Sequence, residues 1–154
     1  MKKKIDLLLE SVLTVLTILM VINVLWQVIS RFVFNTPSSI TSELAGFMLI
    51  WVSLLGAGYA AGQKLHMAID LLPEALAGPK RLILLRLVHF FMLAFAVIIM
   101  IIGGGNLVFL TFQFEQVSAT LQIPMGYVYL VSPLSGCFIA YYSIYFMINP
   151  DGTD

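Results

Sequence analysis

The sequence predicts an all-α integral membrane protein with four transmembrane helices and a short interfacial helix between spans 2 and 3. Of its 154 residues, 60% are hydrophobic and 10% are charged. Soluble domains carry roughly 25% charged and about 45–50% apolar residues, so this composition excludes a soluble domain. The formal net charge is zero and no basic stripe is present, which excludes a nucleic-acid binder. The bilayer is therefore the expected surrounding of most of the chain.

The spacing of the charged residues places the spans. Four uncharged stretches of 20, 20, 28 and 35 residues lie between them. Roughly 20 helical residues, rising about 1.5 Å each, cross a hydrocarbon core of about 30 Å, so each stretch is assigned one helix. The first part of the longest stretch holds Gln, Ser and Thr residues and a Pro124–Gly126 turn, which indicates a loop. We place the spans of this single membrane domain near residues 11–32, 43–62, 85–110 and 127–148.

The basic residues predict the orientation. With four spans, the two termini and the connection between spans 2 and 3 share one side of the membrane. Seven of the eight Lys and Arg residues lie on that side, and Arg31 alone lies on the other. Cytoplasmic segments carry the excess of basic residues, so both termini are expected in the cytoplasm. The seven are Lys2, Lys3, Lys4, Lys64, Lys80, Arg81 and Arg86.

The connection between spans 2 and 3 predicts the interfacial helix. Pro73 favours a helix start, and Gly78–Pro79 favours its end. Upstream, His66 and Asp70 are four residues apart and would share one helical face. One His with one carboxylate is a weak metal signal, so we interpret the two as a loop hydrogen-bond pair or a helix cap. With a single cysteine in the chain and no nucleophile–base pair, we expect no enzyme, no metal site and no cofactor.

Small residues on the second span predict a close helix contact. Ser53, Ala57 and Ala61 recur at every fourth position, and Gly58 and Gly62 form a G-x-x-x-G beside them. Small side chains let helices approach each other in lipid. Two interpretations remain open: packing inside the four-helix bundle, or contact with a partner subunit.

Two charges flank the connection between spans 1 and 2. An ion pair between Arg31 and Glu43 would offset the cost of placing both near lipid. We interpret the two as a clasp between these spans, with recognition of an extracytoplasmic partner as the alternative.

The middle of every span lacks charged residues. A transporter core would show intramembrane charge, or broken helices in two matching halves. The Gly103–Gly105 run is instead interpreted as a close-packing patch in the third span. A subunit that supports another protein fits this pattern. A self-assembling small transporter or channel, and a membrane anchor subunit of an enzyme, are the alternatives.

An ordered set of motifs resembles a known family. The run Trp26–Pro37 (WQVISRFVFNTP) is followed by Ser42–Ala45 (SELA), Trp51, Leu55–Ala57 (LGA) and His66–Asp70 (HMAID). At these spacings the set is similar to the small membrane subunits of tripartite ATP-independent periplasmic (TRAP) transporters, the DctQ-like family. The match covers about residues 20–75.

Three positions depart from the pattern of that family. Ile40, Ser42 and Gly46 stand where Trp, Glu and Arg are common. These differences concern the charges around Glu43 and leave the span arrangement unchanged.

The resemblance implies a partner and a function. Such subunits have four spans in the bacterial inner membrane and form a heterodimer with a large membrane subunit that holds the substrate and sodium sites. A periplasmic substrate-binding protein delivers an organic acid, such as a sialic acid or a C4-dicarboxylate. The resemblance implies that this chain supports the large subunit as a scaffold during sodium-coupled import.

Overall fold

The computed structural model describes residues 2–35, 38–63 and 79–149, and these residues are helical with short connections. No β-strand occurs in these ranges, apart from an isolated bridge between Val117 and Pro124. The helices are α1 (Lys2–Phe32), α2 (Ser39–Gly62), α3 (Pro79–Phe95), a π-helical segment (Ala96–Gly103), α4 (Gly104–Gln113), α5 (Met125–Tyr129) and α6 (Val131–Ile148).

Within these ranges, four stretches of helix are long and apolar enough to cross a membrane, which confirms the predicted fold class. They are Lys2–Phe32, Ser39–Gly62, Arg81–Gln113 and Met125–Ile148. Each of the predicted spans lies within one of them. The interfacial helix expected near Pro73–Gly78 lies outside the described residues.

The first two spans form an antiparallel pair joined by polar contacts at one end. Ser38 caps α2, since its hydroxyl accepts a hydrogen bond from the Thr41 amide. The Asn23 amide nitrogen donates to the Thr41 carbonyl oxygen at 2.9 Å, and that of Gln27 donates to the Ser42 hydroxyl at 2.6 Å. These bonds fix the start of α2 against the end of α1.

The third span contains eight residues of π-helix, Ala96–Gly103, between α3 and α4. The glycine run does not end the helix, because α4 continues directly from Gly104. A Cβ on Gly104 would lie 2.6 Å from the Ser132 hydroxyl oxygen, whereas one on Gly105 would meet no atom within 4 Å. Gly104 therefore makes the close contact with the fourth span.

The fourth span is the centre of the bundle. Its helix α6 packs against α2, α3 and the π-helical segment. In contrast, the backbone of α1 approaches only α2 among the described helices. One buried cluster joins α1, α2 and the fourth span, and a second joins α2, the π-helical segment and α6. The first contains Leu9, Leu55, Val131, Tyr142 and Phe146, and the second contains Ala61, Ala96, Met100, Ile139 and Ala140.

Candidate functional site

The carboxylate of Glu43 binds the loop between the third and fourth spans. It accepts hydrogen bonds from the backbone amides of Ala119, Thr120 and Leu121, at 3.1, 3.0 and 2.8 Å. Hydrogen bonds to an ionised acceptor are stronger than neutral ones. Three consecutive amides converging on one carboxylate therefore fix this loop to the beginning of α2.

The loop that Glu43 binds has its own hydrogen-bonded structure. The amide of Ser118 donates to the Ile123 carbonyl at 2.9 Å, and the Ile123 amide donates to the Ser118 hydroxyl at 3.2 Å. Ser118 is buried, and Gln122 has a positive φ of 54°. These contacts close a tight turn, in which three of the four intervening amides face Glu43.

The clasp between Arg31 and Glu43 that the sequence suggested is not the arrangement in the structure. Both oxygens of Glu43 are engaged by loop amides. The guanidinium of Arg31 lies over the ring of its neighbour Phe32, 5.8 Å from the centroid. Sequence reasoning missed the Glu43 contact because its donors are backbone amides, which every residue type except proline provides.

Part of the small-residue stripe on α2 packs inside the bundle. A Cβ on Gly58 would lie 3.5 Å from the Phe138 Cβ, and one on Gly62 would lie 2.6 Å from the Tyr142 ring. Ala61 is buried in the second cluster. Gly58 and Gly62 thus allow the close approach of α2 to α6, and Ala61 contributes to the second buried cluster.

The rest of the stripe faces away from the bundle. Ser53 and Ala57 are exposed, and so is Gly46, seven residues before Ser53. A Cβ on Gly46 would meet nothing within 4 Å. Residues at these spacings share a helix face, which we call the exposed small face (Gly46, Ser53 and Ala57). The structure thus packs one part of the stripe inside the bundle and leaves the other part exposed.

A buried hydroxyl strengthens the contact between α2 and α6. The Ser135 side chain is fully buried and donates a hydrogen bond to the carbonyl oxygen of Leu54. Sequence reasoning missed this contact, although a Ser-Gly pair (Ser135 and Gly136) within a span is typical of helix interfaces in membranes.

At the other end of the bundle, α1 and α6 are joined by a polar cluster that sequence reasoning missed. The hydroxyl of Tyr142 donates to the Asp6 carboxylate at 2.5 Å, and the Lys2 ammonium lies 3.8 Å from the same carboxylate. Lys2 also lies over the rings of Tyr145 and Phe146, at 5.9 and 5.4 Å from their centroids. Lys2 and Asp6 are four residues apart, a spacing that indicates an ion pair on a helix. Their contact with α6 could be seen only in the folded structure.

His66 and Asp70 lie outside the described residues. Within the part of the chain that the structure describes, no group of three or more His, Cys, Asp or Glu side chains is arranged to hold a metal ion. The polar contacts described above join helices and loops to one another. Their chemistry is that of structural contacts within the chain.

Known transporter components are similar to this chain in sequence. Residues 20–151 match the family described as "Tripartite ATP-independent periplasmic transporters, DctQ component". A Haemophilus influenzae protein, provisionally named a TRAP transporter small permease protein, is 25% identical over 138 residues, which cover 90% of this chain and 81% of that protein. The C4-dicarboxylate TRAP transporter small permease protein DctQ of Rhodobacter capsulatus is 30% identical over 105 residues, covering 64% of this chain and 43% of that protein.

Proposed function

The chain belongs to the DctQ family of TRAP transporter components, and from that premise we propose that it is the small membrane subunit that supports a large membrane subunit as a scaffold. The two chains form a heterodimer in the bacterial inner membrane. This subunit presents fixed helix faces, while the large subunit holds the substrate and sodium sites.

The exposed small face of α2 carries the proposal. Among the described residues, Gly46, Ser53 and Ala57 are exposed and not packed inside the chain, whereas Gly58, Ala61 and Gly62 on the same helix are buried. Lipid chains do not require small side chains, whereas close approach of a second helix does. We assign this face to a helix of the large subunit.

The charge distribution supports the proposal that the large subunit, and not this chain, binds the ions and the substrate. The four uncharged stretches of the sequence place no Asp, Glu, Lys or Arg in the middle of a span. Sites for ions and organic anions within membranes use charged side chains or broken helices. Binding of sodium and of the transported acid is therefore assigned to the large subunit.

The family supports a proposed substrate class and direction of transport. The Rhodobacter capsulatus relative is named for C4-dicarboxylates, and we propose import of an organic acid of this kind or of a sialic acid, coupled to sodium. With both termini in the cytoplasm, as the basic residues suggest, the loop bound by Glu43 faces the periplasm. A periplasmic substrate-binding protein delivers the acid on that side.

A pair of neighbouring substitutions tests the partner contact. Ala57→Leu adds bulk to the exposed small face, and Gly58→Leu adds it to the contact with α6. Overpacking of a helix contact costs typically about 1–3 kcal/mol. We expect Ala57→Leu to lower co-purification of the large subunit, normalised to the amount of this chain, and to leave the thermal stability of the isolated chain unchanged. Gly58→Leu should destabilise the chain itself.

Gly105→Leu is the matched control. Gly105 lies on the third span, and a Cβ there meets nothing within 4 Å. It should change neither quantity. An unchanged normalised yield for Ala57→Leu would refute the assignment of this face to the large subunit.

A further inference from the structure

A groove runs between α1 and α2 near the end of the bundle that carries the N-terminus. It has a volume of about 450 Å³ and is lined by Glu10, Leu13, Thr14, Thr17, Ile18 and Tyr59. Glu10, Thr14, Thr17 and Ile18 are exposed, so the groove opens sideways, towards the surrounding membrane. None of the contacts assigned above to partner subunits uses it.

The polarity of the groove changes along its length. Glu10 is the last charged residue before the first uncharged stretch, which places its carboxylate at the edge of the hydrocarbon core. Ile18 follows eight residues later, about 12 Å deeper along the helix. The groove therefore has an anionic mouth at the headgroup level and an apolar wall towards the middle of the bilayer. A phospholipid molecule has the same order of polar and apolar parts.

The mouth of the groove offers hydrogen-bond acceptors. The Glu10 carboxylate forms no ion pair with any described residue; the pair nearby joins Lys2 to Asp6. The Thr14 hydroxyl donates to the Glu10 carbonyl oxygen at 2.8 Å, which leaves its lone pairs free to accept. A primary ammonium group carries three N–H donors and so matches a carboxylate beside a hydroxyl.

We propose that this groove is a binding site for a phospholipid with a primary ammonium headgroup. The ammonium binds the Glu10 carboxylate, and one acyl chain lies along Leu13, Thr17 and Ile18. A choline headgroup has no N–H donor, and a glycerol headgroup has no cation, so neither satisfies Glu10.

Native mass spectrometry of the purified full-length chain tests the site. The chain is equilibrated with phosphatidylethanolamine, phosphatidylcholine and phosphatidylglycerol of identical acyl chains. An exposed ion pair contributes a preference of about two- to fivefold, so we expect one phosphatidylethanolamine molecule to be retained by that factor over the other two. Glu10→Gln should remove the preference. Thr17→Trp, which fills the groove but keeps Glu10, should lower retention of all three lipids.

Glu115→Gln is the control, since it makes the same charge change on an exposed residue of a distant loop, and it should retain the preference. Equal retention of the three lipids by the unmodified chain, or an unchanged preference in Glu10→Gln, would overturn the proposal. If the isolated chain shows no preference and Glu10→Gln weakens co-purification of the large subunit, the groove holds a basic side chain of that subunit instead. The measurement on the isolated chain does not involve the partner, so its failure leaves the proposed scaffold function standing.

Discussion

The hydroxyl of Tyr142 donates a 2.5 Å hydrogen bond to the carboxylate of Asp6, across 136 positions of sequence. Tyr142 is completely buried, and its ring also fills the space over Gly62. One side chain thus connects the beginning of α1, the end of α2 and the last third of α6. The stability of the bundle at this end should depend on it.

Removal of either partner of this hydrogen bond should destabilise the chain, and removal of Asp6 should cost more than removal of the Tyr142 hydroxyl. Tyr142→Phe removes the hydroxyl and keeps the ring, so we expect a loss of about 1–2 kcal/mol in the free energy of unfolding. Asp6→Ala should cost more, because it leaves a buried hydroxyl without its acceptor and Lys2 without its partner. Unfolding in mixed micelles measures both. Tyr141→Phe, at the neighbouring and less buried ring, is the control and should be close to neutral.

The contact of Glu43 should control exchange of the loop amides. Glu43→Ala removes the acceptor of three amides, and we expect hydrogen exchange at Ala119, Thr120 and Leu121 to become about 10- to 100-fold faster, as for the loss of one to two strong hydrogen bonds. Glu115→Gln changes a carboxylate in the same loop that is not bonded to these amides and should leave their exchange unchanged. Equal exchange rates in Glu43→Ala and the unmodified chain would contradict this role of Glu43.

Two glycines on α2 should respond in opposite directions to the same substitution. At Gly62, a Cβ would lie within 2.9 Å of three atoms of the Tyr142 ring, so Gly62→Ala should destabilise the chain by about 1–3 kcal/mol. At Gly46, a Cβ meets nothing, so Gly46→Ala should stabilise the helix by about 0.5–1 kcal/mol. Thermal unfolding of the isolated chain measures both. A destabilised Gly46→Ala variant would show that this face is packed within the chain.

The orientation is tested by cysteine labelling in a Cys137→Ala background. Ser38 lies at the start of α2, on the side of the loop bound by Glu43, and Ala77 lies in the basic connection between spans 2 and 3. An impermeant thiol reagent added to intact cells should label Ser38→Cys and spare Ala77→Cys, because the basic residues favour the cytoplasmic side. The reverse labelling would mean that the topology is inverted.

The isolated chain should transport nothing. Liposomes that contain only this chain, with an inward sodium gradient and a labelled C4-dicarboxylate outside, should show the same uptake as empty liposomes, because no charged group lies in the middle of a span. Liposomes that also contain the large subunit and the substrate-binding protein are the positive control. Uptake by this chain alone would favour a self-assembling small transporter over a scaffold subunit.

The arrangement of the helices was predictable because the cost of burying charge in lipid dominates the pattern of this sequence. The first uncharged stretch, between Glu10 and Arg31, lies within α1, and the second, between Glu43 and Lys64, lies within α2 except for Gln63. The helices extend beyond these stretches, since α1 begins at Lys2. It was harder to predict from the sequence which face of each helix packs inside the bundle. Ala57 and Gly58 are adjacent and both small, yet one is exposed and the other is packed against α6. Their difference depends on the rotation of α2 about its axis, which small residues alone do not determine.

The contacts between distant polar groups were not predictable for a further reason. Glu43 was matched with Arg31 because the two are close in sequence and opposite in charge. The structure satisfies Glu43 with amides that lie more than 70 positions away. A carboxylate accepts from any N–H donor, so the sequence leaves its partner open until the turn at Ser118–Ile123 is formed.

The π-helical segment sets the rotation of α4 relative to α3 about the axis of the third span. Hydrogen bonds from residue i to residue i+5 make each turn wider than an α-turn, so Ala96, Met100 and Gly104 can all remain on the side of α6 at spacings of four. If the segment stays π-helical, deletion of one residue among Val97, Ile98 and Ile99 would turn α4 relative to α3 by the rotation of one π-helical residue, which is somewhat less than that of an α-helical residue. Gly104 would then leave Ser132, and Thr111 would leave the interior. The number of residues in the π-helical segment therefore determines the position of the loop that Glu43 binds, although that loop lies at the end of the span and the segment lies near its middle.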